Sequence, residues 1–355
     1  MKSRIFLLLV AFHILAGSLI GQTAPASRPA APPAGTPTPS TPASGTPTPT
    51  AKTPAGQAPA QPGNPPKSDP AKPDSDESVA TIVHVVNEVR VVFTVTDRHG
   101  RYIKDLKRDD FRVIDDQKPA ELRSFRSETD LPLQVGLLVD ASNSVRDRFK
   151  FEQEAAIEFL NAIIRPRYDK AFVVGFDATP EVTQDFTDNT EGLSAGVRML
   201  RAGGGTAMYD ALYFACRDKL LKQEQTGPVR RAIILLSDGE DNLSHVTREE
   251  AIDMAARAEV IVYTISTNIS GMKGKGDKVL ERIADATGGR AFFPFQMRDV
   301  SDAFLSIQEE LRSQYAVAYK PADFAADGRY RTIAILAQDK GMKVRTRKGY
   351  YAPKP

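Results

Sequence analysis

Three short stretches hold the residues able to do chemistry. Gly136-Leu137-Leu138-Val139-Asp140-Ala141-Ser142-Asn143-Ser144 runs an apolar segment into one carboxylate and two hydroxyls spaced two residues apart. Ala202-Gly203-Gly204-Gly205-Thr206 ends a glycine loop in a hydroxyl, and Leu235-Leu236-Ser237-Asp238-Gly239-Glu240-Asp241 carries a second apolar run into acids. Asp140, Ser142, Ser144, Thr206 and Asp238 offer only oxygen donors, with no His or Cys among them. Such a set suits a hard divalent cation, Mg²⁺ first, with Mn²⁺ or Ca²⁺ as substitutes. Neutral hydroxyls donate little charge, so a cation held mainly by Ser142, Ser144 and Thr206 keeps much of its positive character. It would accept one more oxygen anion, a Glu or Asp side chain supplied by a partner protein. The competing reading of Ser142 and Ser144 is helix capping, because both lie where the helix after the strand should begin.

These stretches need elements that bring them to one place. From Leu133 the chain alternates strand and helix. Apolar runs at Val135–Val139, Ala171–Phe176, Ala232–Leu236 and Val260–Ile265 are each followed by a helical pattern, one of them carrying Val300, Ala303, Phe304, Ile307 and Leu311. Continuous apolar strands separated by helices predict a mostly parallel sheet covered on both faces. Ligands bind such sheets at the carboxyl ends of the strands, and all three stretches leave strands at that edge. The segments before and after read as strands without helices: Val89–Thr96, Phe111–Ile114 and Ala120–Phe125 on one side, Tyr315–Tyr319, Arg331–Leu336 and Lys343–Arg347 on the other. Because the α/β part is entered and left through strands, the two flanks are expected to pair as a small β-subdomain.

The motif set Asp-x-Ser-x-Ser at 140–144, Thr206 in a GGGT loop and Asp238 in LLSDG resembles the complete metal-ion-dependent adhesion site of the von Willebrand factor type A domain. That resemblance covers about 133–311 and implies a Rossmann-like α/β fold, with Ser142, Ser144 and Thr206 touching the metal and Asp140 and Asp238 acting directly or through water. The flanks are similar to those of a type-A-related subfamily of exported bacterial proteins, with an LKRDDF stretch before the core and a GYYAP-like ending after it. The implied function is adhesion or protein–protein interaction.

Other candidates fit blander roles. Glu240 and Asp241 read as solvated loop acids, Asp210 as an acid at a helix N-terminus, and Cys216, between Leu212 and Leu220, as a small buried residue. Ser270–Lys278, with three lysines, should lie on the same rim as the metal set. An Mg²⁺-dependent hydrolase or phosphatase is the alternative function, with Asp140 as nucleophile. It lacks a supporting cast: the four His residues pair with no Ser or Cys, there is no GxSxG or HExxH, and a phosphatase would want a second Asp where Ser142 stands. The expectation is therefore not an enzyme; a metal serving local stability alone is a further alternative.

The ends of the chain set the location. Residues 1–21 hold a basic start and an apolar run from Ile5 to Ile20, the shape of a signal peptide, whose alternative is an uncleaved membrane anchor. Residues 22–78 hold 16 of the 25 prolines and no aromatic residue, so they cannot bury enough apolar surface to fold and are expected to be a disordered linker. The β flanks follow as 79–132 and 312–355. One Cys permits no disulfide within the chain, and a formal charge of +2 over 355 residues is too neutral for a nucleic-acid binder. The sequence thus points to a secreted or periplasmic module of a bacterial envelope.

Overall fold

Strand β4 (Leu133–Asp140) is buried along its whole length and anchors the α/β part. Val135, Leu137 and Val139 point into one apolar layer and Leu138 into the other, which is why the sequence shows a continuous run and not an alternation. Gly136 has no side chain for a close-packing reason: a Cβ there would lie 2.5 Å from the Phe172 ring. The computed structural model of the protein describes residues 88–127, 131–223, 227–268 and 270–353, which fall within one compact unit. The expected signal and linker lie outside the described residues.

On one side of β4 lie β5 (Lys170–Phe176) and β6 (Pro180–Thr187); on the other lie β7 (Arg230–Ser237), β8 (Ile261–Ser266) and β9 (Ala291–Phe292). All neighbours are parallel except β5 and β6. Helices α1 (Phe149–Ile163), α2 (Thr190–Met199) and α6 (Met297–Leu311) cover one face. The other face carries α3 (Met208–Phe214), α4 (Arg248–Arg257) and α5 (Lys275–Thr287). Successive strands β5 and β7 pair with opposite edges of β4, so β4 is the point where strand order reverses and its carboxyl end opens into a crevice. No helix among the described residues is long and apolar enough to cross a membrane.

The remaining strands form a second, antiparallel sheet: β1 (Val89–Thr96), β2 (Phe111–Asp115), β3 (Lys118–Ser127), β10 (Gln314–Lys320), β11 (Tyr330–Ala337), β12 (Lys343–Thr346) and β13 (Gly349–Tyr351). Their order is β12-β1-β10-β3-β2-β11-β13. The two outermost strands are joined by Arg347 and Lys348 alone, a link reaching on the order of 10 Å, so the sheet must roll until its edges meet. Consistently, Phe93 on β1 packs edge-on to Phe111 on β2 at 5.1 Å across the interior, although two strands lie between them in the sheet. The β2–β3 hairpin turns at Asp116 and Gln117, both at positive φ, the two-residue turn whose twist suits antiparallel strands.

Helix α6 leads through Arg312 and Ser313 straight into β10, and one buried acid ties the two sheets at this point. Glu310 accepts hydrogen bonds from Tyr102 (2.7 Å) and Tyr263 (2.9 Å) and pairs with Arg345 of β12.

Candidate metal site

Asp140 sits at the end of β4 with 0% of its surface exposed. Its Oδ1 accepts from the Ser142 N–H at 2.9 Å and its Oδ2 from the Ser237 hydroxyl at 2.6 Å. Burial pushes the Asp140 carboxyl up from its ordinary value and the charge of Asp238 adds to this, while hydrogen bonds from Ser237 and Ser142 oppose it. The Ser142 and Ser144 hydroxyls lie 2.9 Å apart, the first buried and the second exposed. Neither behaves as a helix cap. Ser142 makes no capping bond to the short 3₁₀ turn Asn143–Val145, and α1 starts only at Phe149, so the capping alternative is set aside.

The glycine loop is stapled to this turn. Gly203 N–H donates to the Ala141 carbonyl (2.6 Å), and Asn143 donates to the Gly204 carbonyl from its backbone (3.3 Å) and its side chain (3.2 Å). Gly204 has φ +77°, and a Cβ there would lie 2.8 Å from Asp177 Oδ2, so only glycine passes without strain. Thr206 is buried and bonded to the third loop through its backbone. Its N–H donates to Asn242 Oδ1, and its carbonyl accepts from the N–H groups of Asn242 and Leu243, all at 3.0 Å. On that third loop Asp238 is half-buried, with Oδ1 accepting from the Glu240 N–H (3.0 Å). Gly239 at φ +80° lets the loop press against Gly276 at the start of α5, where a Cβ would meet the Gly276 carbonyl at 2.2 Å.

Asp140, Ser142 and Ser144 are thus in one hydrogen-bonded chain, Asp238 couples to Asp140 through its charge, and Thr206 is joined by backbone contacts. A cavity of about 370 Å³ opens beside them, lined by Ser144, Asp238, Glu240, Thr267 and Lys275 among others; of the stretch 270–278, Ser270 and Gly274–Gly276 lie on this rim, and Lys275 to Lys278 form the first turn of α5. Among the described residues no group of three or more His, Cys, Asp or Glu side chains is arranged to hold a metal, so any cation here must rely on hydroxyls. The local charge favours one. Glu152 on α1 is 1% exposed, neither of its carboxyl oxygens has a hydrogen bond, and the Arg148 guanidinium is 3.6 Å away. Burial pushes Glu152 up to about 7 against the pull of Arg148, and Asp140 and Asp238 raise it further. Three acids therefore act on one region, and the oxygen-only donors fit a hard divalent ion.

Several neighbours turn out to be braces. Asp241 accepts from Tyr209 N–H (3.0 Å), Ser244 N–H (3.1 Å) and the Ser244 hydroxyl (2.7 Å). Asp210 accepts from His245 N–H (2.9 Å) and Val246 N–H (3.0 Å) and pairs with the His245 ring (2.8 Å). Cys216 is fully buried, and burial pushes its thiol far above its ordinary value. Sequence reasoning missed Ser237, Asn242, Arg148 and Glu152. Only Ser237, a hydroxyl directly before Asp238 at the strand end, carried a local signal.

Residues 135–240 match the family described as von Willebrand factor type A domain, a segment that contains all five candidate ligands. The chain is 33% identical over 169 residues to calcium-activated chloride channel regulator 1 of Bos taurus, a match covering 45% of this chain and 17% of that protein. Solved structures with similar chains include proximal thread matrix protein 1 from the mussel byssus with a zinc-occupied MIDAS motif (16% identity, 56% of this chain, 50% of that one, TM-score 0.45). Another is the PilB minor pilin from Streptococcus sanguinis (15% identity, 52% and 62%, TM-score 0.41). The chain spans about a sixth of the curated relative's length.

Proposed function

We propose that the protein is an exported, Mg²⁺-dependent binding module in which Asp140, Ser142, Ser144, Thr206 and Asp238 hold the ion and a Glu or Asp of a partner protein completes its coordination. The observation that carries this reading is a fully buried Asp140 beneath a pair of touching hydroxyls, on three loops locked together by backbone hydrogen bonds. Preformed loops lower the ordering cost of binding. When bound, the ion would supply an electrophilic coordination position for a carboxylate. Asp140 and Ser237 set the floor of the site, Gly203 and Gly204 fix the height of Thr206, and the adjacent cavity gives room for the partner's chain. The described strands within 79–132 and 312–355 serve as its β-subdomain, and the basic, apolar N-terminal stretch directs it to the cell envelope or beyond.

A catalytic role is not part of this reading. Both Asp140 oxygens accept hydrogen bonds in the buried floor of the site, which suits it to hold and orient rather than to attack.

Thermal unfolding and calorimetry with Mg²⁺ against EDTA test the proposal. Mg²⁺ at a hundred times its dissociation constant should stabilise the folded protein by about 2.7 kcal/mol. Asp140→Ala and Thr206→Ala should abolish that gain. No response of the parent protein sinks the reading. Variants that lose the stabilisation yet still capture the envelope partner in a pull-down would assign the metal a structural role only.

A further inference from the structure

At the edge opposite the candidate metal site, where β4, β7 and β8 begin, the parallel sheet meets the rolled sheet around a cavity of about 130 Å³. Its lining among the described residues is unusual in charge: Arg90 and Arg347 from the rolled sheet, Arg230 and Arg231 from β7, and a single acid, Glu259. The volume suits several waters or one tetrahedral oxyanion.

Neutral partners fix much of the guanidinium geometry. Arg230 donates to the Leu311 carbonyl, to Gln314 Oε1 (3.3 Å) and to the Leu131 carbonyl (3.1 Å). Arg231 donates to the Ala258 carbonyl at 2.7 Å. Arg347 donates from one Nη to the Arg90 carbonyl (2.8 Å) and to Glu259 (3.1 Å), whose carboxylate is mostly exposed. The buried Nε of Arg347 has no hydrogen-bond partner, and the Arg90 guanidinium makes no hydrogen bond or ion pair among the described residues. The wall behind Arg347 is rigid, because Gly288 at the end of α5 packs so closely that a Cβ would lie 2.4 Å from the Arg347 backbone nitrogen.

From this arrangement we infer that the junction binds a tetrahedral oxyanion, a phosphate or sulfate group, clamped between Arg90 and Arg347 on one sheet and Arg230 and Arg231 on the other. Planar guanidinium forks bind such oxygens in pairs. A tetrahedral anion presents oxygens in several directions at once, so arginines lining the cavity from both sheets can reach it; a flat carboxylate does not. The bound anion cross-links the two sheets.

The test uses the full chain in EDTA, so that no metal competes for the anion. Thermal unfolding is followed against inorganic phosphate, sulfate and glycerol phosphate, each compared with sodium chloride at equal ionic strength. The parent protein should show a saturable rise in melting temperature with phosphate and sulfate that chloride does not give. Arg90→Gln, which removes a half-buried side chain with no hydrogen bond or ion pair among the described residues, should weaken the apparent affinity at least tenfold, and Arg347→Gln should do the same where it folds. Response to glycerol phosphate as well as inorganic phosphate identifies a site for the terminal phosphate of a larger molecule; response to the inorganic ion alone identifies a free-ion site. A parent shift no larger than that of chloride, or an Arg90→Gln shift equal to the parent's, overturns the inference.

Discussion

The six-stranded sheet and the rolled sheet each bury an apolar core, yet they spend their polar ends differently. Parallel β4 and β7 both run out at the same edge, so Asp140, Ser142, Ser144 and Asp238 collect there by topology alone. In the rolled sheet, antiparallel neighbours end alternately at opposite rims, and buried polar groups pair within the sheet. Tyr319, for example, donates to Asp115 at 2.6 Å inside the sheet. A parallel sheet concentrates chemistry at one edge, whereas an antiparallel sheet divides its strand ends between two rims and is suited to support.

If that division holds, damage to the rolled sheet should cost stability without touching the metal response. Phe93 is the residue to remove, since its ring lies 5.1 to 6.3 Å from those of Phe111, Tyr315 and Phe125. Phe93→Ala should destabilise the protein by about 3–5 kcal/mol in urea unfolding. The Mg²⁺-induced shift of the still-folded variant should match the parent's. Its loss would mean that the rolled sheet shapes the metal edge.

The next largest effect lies within the α/β part and depends on pH. With its carboxyl pushed up to about 7 in the folded protein, Glu152 holds a proton that the unfolded chain gives up near 4.5. Between those values the folded state binds more protons, so its contribution to stability is full below about pH 4.5 and is lost as pH rises through about 7. Glu152→Gln removes this loss. In EDTA the variant should match the parent near pH ~4 and exceed it by about 3 kcal/mol above pH ~8. Equal pH profiles for the two proteins would show that Glu152 is already charged. Added Mg²⁺ should narrow the gap, since a cation near Asp140 and Asp238 offsets their repulsion of Glu152.

Backbone demands at the metal edge come third. Gly204→Ala must hold φ +77° with its Cβ against Asp177, so a loss of about 1–2 kcal/mol is expected, together with weaker Mg²⁺ binding as Thr206 is displaced. Gly100 also has positive φ, +82°, but nothing lies within 4 Å of a Cβ there. Gly100→Ala is the control for the cost of φ alone, and an equal metal defect in it would remove Gly204 from the site.

How much of this is readable in the sequence follows the same division. The strand β4, its buried neighbours and the loop positions of the five candidate ligands are legible because each is a local pattern: a continuous apolar run followed by oxygen side chains. Strand β6 escapes a sequence reading because Pro180–Thr187 is a half-exposed edge with too few apolar residues to signal a strand. Strands β9 and β13, of two and three residues, are too short to show a period. The strand order of the rolled sheet rests on pairings such as Val91 with Val317, which no local pattern encodes. Glu152 reads as an ordinary polar position of an amphipathic helix, and only the folded chain puts it near Asp140 and Asp238.

The smallest stability effect is the sharpest test of the comparison. Ser144 is exposed, and its hydroxyl has one protein contact, the Ser142 hydroxyl. Ser144→Ala should change the stability of the metal-free protein by no more than about 0.5 kcal/mol. Ser142→Ala alters a buried position and should cost more, about 1 kcal/mol, through the same lost contact. Both should lose Mg²⁺ affinity to a similar degree, because a cation bound here would use each hydroxyl once. Stability and metal binding would then separate at Ser144 and coincide at Ser142, as expected when one side chain serves the edge alone and the other also packs against the sheet beneath. A Ser144→Ala variant that keeps full Mg²⁺ affinity would leave the exposed hydroxyl outside the coordination sphere and shift the site inward, toward Asp140, Ser142 and Thr206.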